Sequence, residues 1–309
     1  MSDAVLAEYV RDGVVESEHR GYLVALNSDG SVNLALGTSE HLIFPRSTVK
    51  CIQGSAMVRA GLKLEPRLLA LGASSHSGSA EHIAAVREIL KEAKLDESAL
   101  QCMLDRPLGE AERRAWGDNP PTRIAMNCSG KHAAMLLTCV TNNWPIENYL
   151  DPAHPLQVAI KAELEALAGE TITLTSTDGC GAPLFLISVL GLARAIRAIT
   201  ISTDPIHQSV VQACRDFPEM VAGENRLTTR LMREVPGLFM KEGAEGVEVA
   251  TLADGRTIVF KISDGSIRPF ETLMVGALAE FGINVEDKTE RIYGGSEAIG
   301  SMRACITRG

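Results

Sequence analysis

The sequence predicts an α+β fold, with an antiparallel sheet assembled from both ends of the chain and a helical region between them. Three observations carry this: a hairpin signature near each end, a run of helical periodicities in the middle, and no strand–helix alternation of the doubly wound kind. The first hairpin is GYLVALNSDGSVNLALG (21–37), two β-rich stretches around Asp29-Gly30. The second is GVEVATLADGRTIVFKISDGS (246–266), turning at Asp254-Gly255, and SMRACIT (301–307) reads as a last strand. Between them, residues 80–94 put Ile83, Val86, Ile89 and Leu90 on one helical face. Segments 130–140, 154–168, 182–196 and 204–217 also read as helices, and one more is expected over 268–282. The prediction is a single domain, with a sheet subregion over about 1–50 and 235–309 and a helical subregion over about 51–234. DNPPTR (118–123) is a proline-rich turn and not a domain boundary.

Composition narrows the class. Apolar residues make up 45% of the 309 and charged residues 22%, as in an ordinary soluble protein. Aromatics are only 4%, so aliphatic side chains must fill the core. A net charge of −9 argues against nucleic acid or an anionic membrane surface as partner, because phosphates would be repelled. The longest apolar run, 182–196, contains Ser188, Gly191 and Arg194 and falls short of the ~20 residues that span a bilayer. It is expected to be a buried helix. The N-terminus lacks a basic start followed by an apolar core, so no secretory signal is expected. Seven scattered cysteines then read as reduced thiols in a cytoplasmic protein.

Four stretches could carry chemistry. In FPRSTVK, Ser47 and Lys50 stand three apart, on one face at a helix start. A serine becomes nucleophilic when a base takes its proton, and a lysine with a lowered pKa can be that base. The bland alternative is a capping serine and a solvated lysine. In ASSHSGSAEH (73–82), Ser75, His76 and Ser77 form a small polar loop that faces a ligand or merely caps the next helix. In MNCSGKHAAML (126–136), Gly130-Lys131 lacks the remaining residues of a phosphate loop. Cys128 beside Lys131 suits a reactive thiolate or a metal ligand, against a plain buried cysteine. TDGCGAPLF (177–185) adds Asp178 and Cys180 on a glycine-rich turn, and Cys180 could share a metal with Cys128. Lys261, at the end of a predicted strand, matters only if that strand borders the Ser47 helix.

Together FPRSTVK, ASSHSGSAEH, MNCSGKHAAML, TDGCGAPLF and KEGAEGV, in that order from residue 44 to 247, resemble the Rhizobium-type L-asparaginase family, asparaginase II. The resemblance implies a β-lactamase/glutaminase-like fold and hydrolysis of L-asparagine to L-aspartate and ammonia by a cytoplasmic homodimer. It implies Ser47 and Lys50 as one catalytic pair and Ser75 with Lys261 as a second, either serine being able to serve as nucleophile. Substrate contacts are expected at Arg46, His76, Asn127, Gly130 and Asp178, with Arg46 suited to a carboxylate by its planar fork. Zn²⁺ is expected on Cys128, Lys131 and Cys180, outside the chemical step, and no organic cofactor is expected. Two departures stand out. The loop before Ser75 is shorter, which leaves Ser77 as a substitute, and VAGENRLTTRLM (221–232) carries Leu-Thr-Thr where a more polar pair is usual. Asparagine-over-glutamine preference therefore stays open. The rival functions are a penicillin-recognising serine hydrolase and a non-catalytic amino-acid-binding protein.

Overall fold

The structure is a computed structural model that describes residues 3–289 and 291–306. From the N-terminus, β1 (Ala4–Arg11), β2 (Val14–Leu26) and β3 (Val32–Leu36) form a meander. A short strand β4 (Leu42–Ile43) leads into a 3₁₀ turn at Arg46–Val49 and helix α1 (Lys50–Arg59). The helical region continues with α2 (Pro66–Gly72), α3 (Ala80–Glu92), α4 (Glu110–Trp116), α5 (Ser129–Thr141) and α6 (Pro155–Ala168). Short strands β5 (Thr175–Thr177), β6 (Pro183–Phe185) and β7 (Ile187–Ser188) precede α7 (Val189–Ile201), α8 (Pro205–Asp216), α9 (Pro218–Val221) and α10 (Leu227–Glu234). The chain then returns through β8 (Phe239–Glu242), β9 (Val247–Thr251), β10 (Thr257–Ile262), helix α11 (Phe270–Ala279) and the hairpin of β11 (Ile292–Gly294) and β12 (Glu297–Ala304).

The expected α+β arrangement is present. One antiparallel sheet runs β11-β12-β1-β2-β10-β9-β8, with β3 also pairing with β2, so both chain ends meet in adjacent strands. Both Asp-Gly hairpins form where expected: Asn27 N–H bonds Ser31 O at 2.8 Å, and Leu252 N–H bonds Arg256 O at 2.8 Å. Strand β9 is buried along its whole length, which requires cover on both faces. Helix α7 and the Arg46–Val49 turn both pack against β9; α7 also packs on β2 and β10, and α11 on β1, β10 and β12. Leu192, Ala195, Ile196 and Ile199 of α7 are fully buried at helical spacing. Each such large aliphatic side chain contributes roughly 1.5–3 kcal/mol.

Three expectations change. Segment 182–196 is not one helix, because Pro183–Phe185 pairs with Thr175–Thr177 and Ile187 pairs with Ile43. The helix starts only at Val189, where the Ser188 hydroxyl accepts the Gly191 N–H at 2.8 Å. Strand β1 was not read from its own sequence, since its half-buried pattern gains meaning only between β2 and β12. The last strand is Glu297–Ala304 rather than 301–307, and Thr307 of that expectation lies outside the described residues. Among the described residues no helix is long and apolar enough to cross a membrane, and the seven cysteines are free thiols.

Candidate active site

The site forms where the helical region meets the end of β8. Gly243 follows β8, and a Cβ there would lie 3.0 Å from Thr48 Cγ2 and 3.2 Å from Pro45 O. Its missing side chain lets the β8 end press against the turn that carries Ser47. That turn is strained. Arg46 has φ +52°, a left-handed conformation unusual for a bulky residue, and its Nε donates to Asp178 Oδ1 at 2.9 Å.

Ser75 is the hub. It sits in the extended segment between α2 and α3, tied by its N–H to Val221 O at 2.9 Å. Its side chain is 3% exposed. Lys50 Nζ lies 3.0 Å from its Oγ and Lys241 Nζ 2.9 Å from the same atom. Both lysines are buried, at 1% exposure each. Lys50 also donates to Ser74 O and to Cys128 Sγ, the latter at 2.9 Å. Lys241 donates to Glu242 O at 2.8 Å. Burial, and then the positive charge of Lys50, push the Lys241 amine down to about 7. An amine of that pKa can take up and return a proton near neutral pH.

Ser47 lines the same cavity of about 670 Å³ as Ser75 and Asn127. Its hydroxyl has no hydrogen-bond partner among the described residues. The backbone N–H groups of Ser47 and of Ala244, which also lines the cavity, are likewise without partners. Asn127 Oδ1 is 3.2 Å from Cys128 Sγ.

The expected residues divide. Ser47, Lys50, Ser75 and Asn127 gather here. Lys261 does not: β10 lies two strands from β8, and its amine is held by Glu245 O and by Ile262 O at 2.8 Å. The lysine at Ser75 is instead Lys241, three residues before Ala244 in KEGAEGV. Its signal was a lysine after two apolar residues in the strand FMKE, two positions before Gly243. Arg46 and Asp178 pair with each other and do not line the cavity. His76 is fully buried behind Ser75, with Nε2 2.9 Å from Ser129 Oγ and its ring stacked on His82; burial keeps it neutral. Gly130 serves packing, since a Cβ would lie 2.6 Å from Leu71 O. Ser77, the alternative to Ser75, donates to Ala222 O at 2.9 Å and has no lysine among its hydrogen-bond partners. Ser79 is the true helix cap, accepting the His82 N–H at 3.2 Å. Arg226 and Glu242, which line the cavity, were not anticipated.

Behind Lys50 lies a second cluster. Lys131 Nζ is 3.2 Å from Cys180 Sγ, and contact with the Cys128 thiol and the Lys131 charge hold Cys180 strongly toward the thiolate. The Cys128 thiol is pushed up in exchange, and the Lys131 amine is pushed up by the sulfurs beside it. His132 Nδ1 meets Tyr149 Oη at 2.7 Å, and its ring also interacts with the Cys180 sulfur. Among the described residues, no three His, Cys, Asp or Glu side chains are arranged to hold a metal. Two sulfurs and a neutral amine still suit a soft divalent ion, provided Lys131 gives up its proton.

A sequence profile of L-asparaginase II matches residues 7–299. No curated protein matches the chain in sequence. Among solved structures, a putative β-lactamase from Bacteroides dorei DSM 17855 is 13% identical with TM-score 0.45, covering 78% of this chain and 84% of that one. A β-lactamase from Burkholderia vietnamiensis is 14% identical with TM-score 0.34, covering 78% and 82%.

Proposed function

The chain belongs to the L-asparaginase II family, and from that premise we propose that it hydrolyses the side-chain amide of L-asparagine by acyl transfer to a serine. The observation that carries the mechanism is the buried Lys50–Ser75–Lys241 chain of hydrogen bonds opening onto the cavity that Ser47 lines.

Ser47 is the attacking oxygen in this reading, because its hydroxyl is accessible and unengaged. Its proton passes through the Ser75 hydroxyl to neutral Lys241, and protonated Lys50 stabilises the charge on Ser75 meanwhile. The carbonyl oxygen becomes an oxyanion facing the free N–H groups of Ser47 and Ala244, a contribution of ~3–4 kcal/mol per donor in other hydrolases. The proton returns to the leaving nitrogen as ammonia departs. Water then attacks the aspartyl ester by the same relay and releases L-aspartate.

A second reading exchanges the serines, and the two amines within 3.0 Å of Ser75 Oγ favour it. Ammonia release from L-asparagine and L-glutamine, by wild type, Ser47→Ala and Ser75→Ala, tests the activity and its preference. Peptide mapping of a trapped acyl adduct then separates the serines: an adduct on Ser75 would overturn the first reading, and no ammonia from either amide would overturn both.

Zinc, if bound, would be held by Cys128, Lys131 and Cys180 and would tie the two cysteine loops together. Binding would displace the Lys131 proton and so weaken as pH falls. Metal content and activity of wild type and Cys128→Ser, with and without added zinc, test this; no difference between them would remove zinc from the account. The reading also carries a cytoplasmic homodimer, whose mass light scattering measures directly.

A further inference from the structure

Asparagine presents two charged groups besides its amide, an α-carboxylate and an α-ammonium on one carbon. Arg46, the cation nearest Ser47 in sequence, is bound to Asp178 and does not line the cavity. The cavity holds a different charged pair. Arg226 Nη2 lies 2.5 Å from Glu242 Oε1, and both residues line the cavity with Ser47 and Ser75. Their side chains are 26% and 15% exposed. Arg226 Nε and Nη1 and Glu242 Oε2 have no hydrogen-bond partner among the described residues, so the pair keeps free donors and a free acceptor. Its position relative to the chemistry is fixed by Lys241, whose Nζ bridges Glu242 O at 2.8 Å and Ser75 Oγ at 2.9 Å.

Five further residues of the lining carry or approach charge: Tyr9, Arg268, Glu271, Lys288 and Arg291, and three of the charged ones have partners. Arg268 lies 3.6 Å over the Tyr9 ring, Glu271 is paired with Arg230 at 2.6 Å, and Lys288 lies 3.7 Å from Glu234.

We propose that Arg226 and Glu242 together read the zwitterion of a free α-amino acid, Arg226 taking the α-carboxylate and Glu242 the α-ammonium. The inference rests on the amidohydrolase reading for the position of the scissile amide but not for the pair itself. An Arg–Glu pair is neutral as a unit, and so is the zwitterion. Each charge of the ligand meets its opposite, and neither protein charge is left uncompensated when the ligand displaces water. A planar guanidinium suits a carboxylate through two parallel N–H bonds. The substrate class is then free amino acids with an ω-amide. Asparagine acylated at its amine or blocked at its α-carboxyl is excluded, since either change strands one member of the pair.

The test uses L-asparagine and two truncated amides: succinamate, which lacks the α-amino group, and 3-aminopropanamide, which lacks the α-carboxylate. Binding is measured calorimetrically for wild type, Arg226→Gln and Glu242→Gln, with ammonia release followed in parallel. Arg226→Gln is expected to weaken L-asparagine and succinamate by about 10- to 100-fold, the scale of a lost hydrogen bond to a charged group, and 3-aminopropanamide by less than about 2-fold. Glu242→Gln is expected to do the reverse, weakening L-asparagine and 3-aminopropanamide and sparing succinamate. Arg226→Lys, which keeps the charge without the fork, should fall between wild type and Arg226→Gln and serves if the glutamine variant does not fold. Equal losses for all three ligands, or no loss, would overturn the proposal. If wild type releases no ammonia from any amide while the crossed binding pattern persists, the amidohydrolase reading falls and the zwitterion reader stands.

Discussion

Lys131 and Lys241 are equally buried, yet their amines are driven in opposite directions. Lys131 faces the sulfurs of Cys128 and Cys180 and is pushed up against its burial; Lys241 is pushed down to about 7 by burial and then by the positive Lys50 it faces. Burial alone would lower both. The charges beside each amine add to or outweigh that effect, and they suit one lysine to a structural part and the other to the proposed proton exchange. Lys50 lies between the two, touching Cys128 Sγ at 2.9 Å and Ser75 Oγ at 3.0 Å. The cluster of sulfurs and the proposed proton relay therefore share one cation.

The largest way to break this contrast is to remove the low-pKa amine. Lys241→Met should lower kcat for asparagine by on the order of 10²- to 10⁴-fold, the range for losing a positioned acid–base group. Lys261→Met should stay within about 2-fold, because its amine only binds backbone carbonyls at the edge of the site. Steady-state ammonia release reads both, and equal losses would remove the distinction between the two lysines. Next comes the other cluster. Cys180→Ser replaces a thiolate by a neutral hydroxyl and leaves the Lys131 ammonium buried without its counter-charge. Such a loss costs about 3–5 kcal/mol, read by urea unfolding. A change under about 1 kcal/mol would mean that Cys180 is not the anion holding Lys131.

This contrast also explains what the sequence could show. Both Asp-Gly hairpins and most helices were legible, because turn chemistry and periodicity act over a few residues. Ser47, Lys50, Cys128 and Cys180 were legible from their motifs. Lys241 was not identified, although KEGAEGV was recognised as a unit, because choosing between Lys241 and Lys261 requires the sheet order. Both follow apolar residues on antiparallel strands, and only the order β10-β9-β8 puts Lys241 on the edge next to Ser75. The Arg226–Glu242 pair joins residues from α10's start and β8's end, a contact that no local pattern encodes. The misreading of 182–196 has the same origin: strand pairing with β4 and β5 overrides an apolar run that could equally have been helical.

The smallest effect sharpens the contrast most, because it changes the relay without touching it. Lys241 must be neutral to accept a proton, so kcat/KM should rise with pH and level off above about 7. Stability should rise in the same direction from about pH 7 toward the ordinary lysine value of 10.5, since in that window the unfolded chain binds the proton that the folded one has lost. Glu242 opposes the fall in the Lys241 pKa, and Arg226 adds to it. Glu242→Gln removes the opposing charge and also leaves Arg226 uncompensated, so both changes act in one direction. The acid limb of kcat/KM should move to lower pH, by about half a pH unit for charges at this range in a partly wet site. Arg226→Gln should move it the other way by a similar amount. A limb that stays fixed in both variants would show that Lys241 is not the group whose deprotonation sets it, and would shift that part to another member of the chain through Ser75.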